Sequence, residues 1–505
     1  MAREAQHLAP DDSQAPSAVS AANDARLLRR GATLNLAGYA SRIGLPALNI
    51  LMIRLYGAEL FGTYVVAQAS ILIVWRLASL GLDKAALWWV PRAVAGNSSE
   101  GGLRAMFFWV TSTSIVLCGV IALGAAPLLA EWSAEPRSAD ALRWMALGLV
   151  PMALMELAIH SVMGTRNMAA RVLIRDGLVP TLQLASALFF GVLGWKASGL
   201  PFSFLLSTTV GAIAALWVGF RLLERRLWQG SMFRLSPEVV RYAGSIWVSE
   251  LSAAILTRMD LYALARYSDP RSVGIYAAVT QLAGSLRQVR QSFDPMVVAL
   301  CAELSIRRDS ARLVAGFSRA AAAVLSIQLP IWAFFFCFDS WILPIYGAGF
   351  EAGAAALVIL SACWVLNGVL GLNGMVLLGQ GRSELMLAGI LLTMALQVAL
   401  LPWLISTHGL EGAALTVALS YTALGFAHWY LATRTSGVNP YDARVLRTVI
   451  AACVAVGALL AAYYTLQPFG ELARRVGAFA VFALVAGGTY FGWLNPRERG
   501  APSGA

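Results

Sequence analysis

The sequence has almost no lysine. Lys84 and Lys196 are its only two, so nearly all of the 38 basic residues are arginines. Charge of either sign is scarce, at 13% of residues, against about 25% in an ordinary soluble domain. Together with 58% hydrophobic residues and a mean hydropathy of +0.67, that deficit excludes a soluble globular protein. Cysteine is sparse too: Cys118, Cys301, Cys337, Cys363 and Cys453 stand singly in apolar runs. Neither they nor the histidines have metal-site or disulfide spacing, so no metal and no cofactor is expected. Long polar connections are also missing, which leaves no room for a soluble catalytic domain and argues against an enzyme. The net charge of +11 does not indicate nucleic acid, because the arginines lie between apolar runs.

What the chain does have is a series of apolar windows about 20 residues long, enough to cross a bilayer as helices. Fourteen can be read: 31–55, 61–88, 103–129, 140–163, 173–195, 199–221, 242–265, 274–301, 313–338, 352–378, 384–406, 409–431, 446–465 and 475–494. The fold class is therefore all-α and polytopic, with about 14 transmembrane helices. Residues 1–30 read as a disordered cytoplasmic tail, and 495–505 as another. Residues 31–221 would form an N-terminal lobe of six spans and 242–431 a C-terminal lobe of six. Between them, 222–241 is a cytoplasmic linker, read as a short interfacial helix with Leu227, Trp228, Met232 and Phe233 against lipid. Residues 432–494 supply a loop and two extra helices, placed beside the cavity as guards of a lipid entrance. With the N-terminus inside, about 24 of the 38 Lys and Arg fall in cytoplasmic segments, as the positive-inside rule requires. Both termini are then cytoplasmic.

A repeat is visible at an offset of 212 residues. RLYGAELFGTYVVA from Arg54 lies over RYSDPRSVGIYAAV from Arg266, pairing Arg54 with Arg266, Gly62 with Gly274 and Tyr64 with Tyr276. Six spans separate the copies, so both run the same way across the membrane, as in parallel transporter repeats.

Several charges have no topological reason to exist. Span one carries Asn35, Arg42 and Asn49 at seven-residue intervals. Span two carries Arg76, Ser79 and Asp83 at i, i+3 and i+7, one helical face. Span eight carries Arg287, Arg290 and Asp294 on one face, with Thr280 extending it. A single arginine at the bilayer centre costs about 2.5–3.5 kcal/mol even on insertion scales. Arg42, Arg76, Arg287 and Arg290 are therefore expected to surround one water-filled cavity that receives an anionic phosphate or pyrophosphate. Asn35, Asn49 and Thr280 would line it. Glu250, read as an isolated carboxylate, Asp294 and Glu156 beside His160 are the candidates for ion coupling. Arg258 and Asp260, two residues apart, should point to opposite helix faces, with Asp260 solvated near the outer surface.

LYGAELFGTYVVAQAS followed by LASLGLDKAALWWVPR resembles the opening of the bacterial polysaccharide flippases. These are the O-antigen (Wzx-type) and exopolysaccharide members of the multidrug/oligosaccharidyl-lipid/polysaccharide exporter superfamily. VGIYAAVTQLAG, PIYGAGFEAGAAALVILSACWVLNGVLGLNGMVLLGQGRSEL and GLEGAALTVALSYTALGFAHWYLATRTSGVNP are similar to later family segments, in the same order. The likeness implies a 6+6 helix arrangement plus two helices and a central cationic cavity. It implies alternating access for a polyprenyl-pyrophosphate-linked oligosaccharide, moved from the cytoplasmic to the outer leaflet of a bacterial inner membrane for O-antigen or exopolysaccharide synthesis. Arginines on spans one, two and eight bind the pyrophosphate in related flippases, and Arg42, Arg76, Arg287 and Arg290 occupy matching spans. A monomer is expected, with a polysaccharide polymerase and chain-length regulator as candidate partners. The competing reading is a cation-coupled drug or small-molecule exporter of the same fold, which would want acids where Arg42 stands.

Overall fold

The structure is a computed structural model. It describes residues 45–489 except 95–101, 134–136, 166, 308–309, 381, 437–438 and 440. Every regular element among the described residues is helical. The first half contains α1 (Leu45–Tyr56), α2 (Ala58–Ser79), α3 (Leu82–Val94), α4 (Leu103–Val120), α5 (Arg137–Leu147), α6 (Leu149–Gly164), α7 (Val179–Val192) and α8 (Gly199–Leu222). The second contains α9 (Pro237–Leu256), α10 (Met259–Tyr267), α11 (Pro270–Arg307), α12 (Ser310–Ile342), α13 (Ala354–Leu370) and α14 (Ser383–Ser436). Two more helices follow, α15 (Ala443–Thr465) and α16 (Glu471–Thr489).

Ten of the described helices are long and apolar enough to cross a membrane, or eleven if α5 and α6, bent by 44°, make one broken span. The difference from fourteen has physical sources. The start of the first span lies outside the described residues. The 38-residue α11 is long enough, but its polar residues keep it below that apolarity. The 54-residue α14 is counted once although it turns at Gly409, whose backbone (φ 54°, ψ −124°) is not helical. The outward surface is apolar, with Leu123 88%, Val192 82% and Leu484 75% exposed. Leucines turned outward from a helical bundle are solvated by lipid tails, while the helices satisfy their own backbone.

One apolar core runs through both halves, from Met52 and Phe61 to Ala413 and Val417. The densest crossing between the halves joins α2 to α11, the two helices that the repeat aligns. A Cβ at Gly62 would sit 2.0 Å from the Pro270 carbonyl oxygen, and a Cβ at Gly274 2.1 Å from that of Ala58. Gly62 is to Pro270 as Gly274 is to Ala58: each residue pair is the other shifted by the repeat offset. Such reciprocity is what a two-fold relation between the halves produces. The repeat thus has a packing reason, because backbone meets backbone there and only glycine fits.

Three expectations change. The face Arg76–Ser79–Asp83 does not lie on one helix. The chain turns at Leu80 (φ 48°) and Gly81 (φ 71°), and Asp83 belongs to α3. Before α9 begins at Pro237 the linker has a 3-10 turn, Arg225–Trp228, in place of the expected interfacial helix, and Leu227 is buried rather than lipid-facing. Trp228 packs on Phe107 and Phe220. Finally, α15 and α16 pack on each other and on α12, around Ala333, Cys337, Leu459 and Phe482. They contribute nothing to the lining of the central cavity.

Candidate functional site

Between the halves lies a cavity of about 420 Å³. Its wall draws on α1, α2, α7, α9, α10, α11, α13 and α14, so neither half encloses it alone. Inter-half contacts cross it at both ends. At one end is the Gly62–Gly274 crossing. At the other, Arg76 Nη1 meets Glu250 Oε2 at 3.0 Å, and Trp247 Nε1 donates to the Arg76 carbonyl at 2.9 Å. Gly81 there approaches Ala243 so closely that a Cβ would lie 2.3 Å from its carbonyl oxygen.

Of the expected site residues, Arg287 and Thr280 line this cavity. The Arg287 guanidinium lies 5.2 Å from the Trp364 ring centroid. Its Nε is buried without a hydrogen-bond partner, and it forms no ion pair among the described residues. An arginine held over an aromatic face with its fork unsatisfied is prepared for an anion. Arg290, one turn further on, is bound to Asp294 at 2.8 Å and does not line the cavity. Arg76 also lies outside the lining, held by Glu250 and by the buried Asp83 at 3.6 Å. Glu250 is therefore not isolated. Glu156 is buried and paired with Arg175 at 3.0 Å, while Lys84 reaches the Nε2 of His160 at 3.1 Å. All three expected coupling carboxylates are thus matched by arginine. Arg42 and Asn35 fall outside the described residues, as does the side chain of Asn49.

Two wall residues of opposite charge come from the seventh span, where an unbroken helix had been expected. That span breaks between α9 and α10, with Arg258 in a non-helical conformation (φ −131°, ψ −4°). The break turns both Arg258 and Asp260 into the cavity. Asp260 Oδ2 accepts from the Tyr276 hydroxyl at 2.8 Å, and Oδ1 from the Leu261 amide at 2.8 Å. No proline or glycine announces this break; the one signal is two opposite charges in the outer half of an apolar span. The tyrosines aligned by the repeat both serve the wall. Tyr64 accepts from Gln68 (3.0 Å) and Gln183 (2.5 Å), while Tyr276 donates to Asp260. Gln397 is fully buried with neither amide atom bonded.

The wall therefore offers two arginines, one carboxylate, several amides and hydroxyls, and the face of Trp364. Chemically this is a place for a polar, anionic head group. Amides and hydroxyls suit sugar hydroxyls, because each can donate and accept.

Residues 51–352 match the family described as polysaccharide biosynthesis protein. The chain belongs to that family. No curated protein matches it. Among solved structures it is similar to the lipid II flippase MurJ in an inward closed conformation, at 10% identity and a TM-score of 0.72, covering 91% of this chain and 98% of that one. An inward-facing multidrug resistance MATE transporter of the MOP superfamily aligns at 15% identity and a TM-score of 0.63, covering 79% and 98%. A Vibrio cholerae MATE transporter aligns at 17% and 0.60, covering 83% and 99%. At such identities these likenesses establish the fold: a multi-pass, all-helical membrane protein of the MurJ/MATE type.

Proposed function

We propose that the protein is a flippase that carries a polyprenyl-pyrophosphate-linked oligosaccharide across the inner membrane during polysaccharide synthesis, by alternating access and without chemical change to its substrate. The observation that carries this reading is the unpaired Arg287 over Trp364 in a cavity shared by both halves. The family's description supplies the polysaccharide context. A drug exporter of the same fold is less well served, since two arginines face the cavity against one carboxylate. An apolar groove of about 460 Å³ between α12, α15 and α16, lined by Leu325, Leu329, Phe479 and Phe482, would seat the polyprenyl tail. In this reading Asp260, rather than Glu250, Asp294 or Glu156, is the carboxylate placed to exchange an ion with cavity water. Polysaccharide polymerase and chain-length regulator would act on the delivered product.

The test is transfer of a fluorescent polyprenyl-pyrophosphate oligosaccharide across proteoliposomes. Arg287→Ala should slow transfer about tenfold or more, the loss expected for one charge-assisted contact, and Arg287→Lys should retain part of it. Unchanged transfer in a correctly inserted Arg287→Ala protein rules the reading out.

A further inference from the structure

A second cavity opens on the far side of the Gly62–Gly274 crossing. It measures about 1150 Å³ and, like the central one, is lined by both halves: by the α1–α2 turn, Arg137 and Lys196 on one side, and by Arg271 and the turn from Pro344 to Phe350 on the other. Its lining holds four cations, Arg54, Arg137, Lys196 and Arg271, against one carboxylate, Glu59. Glu59 is taken by Arg137 at 2.8 Å. Arg54 Nε and Arg271 Nη2 each donate to a backbone carbonyl, Ile345 at 2.7 Å and Ala348 at 3.1 Å. Those bonds aim the guanidinium groups without neutralising them. Lys196 forms no ion pair among the described residues. Tyr346, 1% exposed, has a buried hydroxyl with no hydrogen-bond partner on the same wall.

Topology does not explain this charge. Under the orientation in which most basic residues are cytoplasmic, the vestibule lies on the outer face, where arginines should be few. Its location on the inter-half axis is equally specific. Arg271 and Arg287 lie on the same helix, α11, 16 residues apart, which is about 24 Å of helix. Gly274, where the halves cross, falls between them. One helix therefore links an unpaired arginine in the central cavity, the crossing, and a cationic vestibule beyond it.

We infer that the vestibule is a second oxyanion station, which receives the substrate's diphosphate after it has passed the Gly62–Gly274 crossing. This rests on the flippase reading of the central cavity. Two guanidinium groups bonded to carbonyls and not to a carboxylate, Arg54 and Arg271, together with the Lys196 ammonium, suit phosphate oxygens at the headgroup level. The phosphates of surrounding lipids share that chemistry, so the experiment must separate the two sources.

Full-length protein in phosphatidylcholine nanodiscs would be titrated with inorganic pyrophosphate by calorimetry. Two sites are expected. Lys196→Gln with Arg271→Gln should weaken one by about tenfold or more, as loss of charged hydrogen bonds does, and Arg287→Gln should remove the other. Lys196→Gln alone changes an exposed side chain and keeps the test decisive if the double variant folds poorly. If the vestibule variants bind pyrophosphate like the parent while Arg287→Gln does not, the station is wrong and the cavity reading stands. If instead Arg287→Gln binds pyrophosphate like the parent while the vestibule variants do not, the cavity reading falls. Repetition in phosphatidylglycerol nanodiscs decides the source. A vestibule site filled by that lipid and not recovered by pyrophosphate is a headgroup site, and the exit role is overturned.

Discussion

The arginines chosen from spacing were sound as anomalies but not as a set. Depth along a helix can be counted in sequence, and it marks Arg76, Arg287 and Arg290 as residues that need water or a counter-charge. What kind of company is a tertiary matter. Arg290 finds Asp294 one turn along its own helix, which spacing did allow. Arg76 finds Glu250 from 174 positions away, and nothing local announces that. For Arg258 and Asp260 the expectation of opposite faces fails, because a two-residue spacing implies it only while the helix continues, and here it breaks at Arg258. Stability should follow these partners. Arg76→Ala leaves Asp83 buried and unmatched, and should lower stability by about 3 kcal/mol or more. Glu250→Gln, on a side chain 36% exposed, should cost below about 1 kcal/mol. Thermal unfolding in detergent measures both, and equal effects would mean that Asp83 does not depend on Arg76. At Asp260 the expectation is functional. Asp260→Asn keeps the size and the Tyr276 contact but cannot release a proton, so proteoliposome transfer should lose its dependence on an imposed ion gradient. Retained gradient dependence would exclude Asp260 as the coupling group.

Among the elements, α11 governs the rest. It starts at Pro270, four residues before the 274 expected from hydropathy, and its cap is local: Asp269 precedes Pro270, and Ser272 follows at the third helical position. Asp269 Oδ1 accepts from the Ser272 amide at 2.9 Å, Oδ2 from its hydroxyl at 2.9 Å, and proline occupies the first turn. Burial pushes the Asp269 carboxyl up, but the Ser272 hydrogen bonds outweigh it and hold it below the usual carboxylate range. A depressed folded-state value stabilises above the unfolded pKa, and that contribution is lost as pH falls through the folded one. Asp269→Ala should therefore cost about 1 kcal/mol at neutral pH, with the difference from parent shrinking in strong acid. Chemical unfolding at both pH values checks it, and a difference independent of pH would remove the cap from the account. Further along α11, Gly274 is fixed by close approach. Gly62→Ala and Gly274→Ala each place a methyl group against a carbonyl oxygen, and overpacking of this kind costs about 1–3 kcal/mol. Because the contacts are reciprocal, the two substitutions should have similar effects, which unfolding of the pair compares directly. The repeat was readable here because glycine is needed twice for one reason. Arg54 and Arg266, equally aligned, do different things: Arg54 bonds the Ile345 carbonyl, while Arg266 stacks near Tyr267.

For the whole molecule, the helical class and the two-fold repeat followed from hydropathy and a short alignment. How the halves close did not, since closure is made by contacts between residues remote in sequence. The contacts that close the two ends of the cavity differ in kind, and that difference bears on how the molecule moves. The Gly62–Gly274 crossing itself is backbone packing, with the Arg54 bond to the Ile345 carbonyl beside it. The opposite end is held by Arg76, Glu250 and the Trp247 indole, an assembly of polar bonds that water can replace as the halves part. Alternating access needs one end to open while the other stays shut, so a covalent tie at the Arg76 end should stop turnover even with Arg287 and the vestibule intact. Cysteines replacing Arg76 and Glu250 in an otherwise cysteine-free chain, joined by a reducible bis-thiosulfonate linker, would make that tie. Transfer of the fluorescent lipid-linked oligosaccharide should cease on cross-linking and return on reduction, while pyrophosphate binding at Arg287 persists throughout. Continued transfer by fully cross-linked protein would mean that the halves do not separate at this end, and that the substrate enters the cavity by another route.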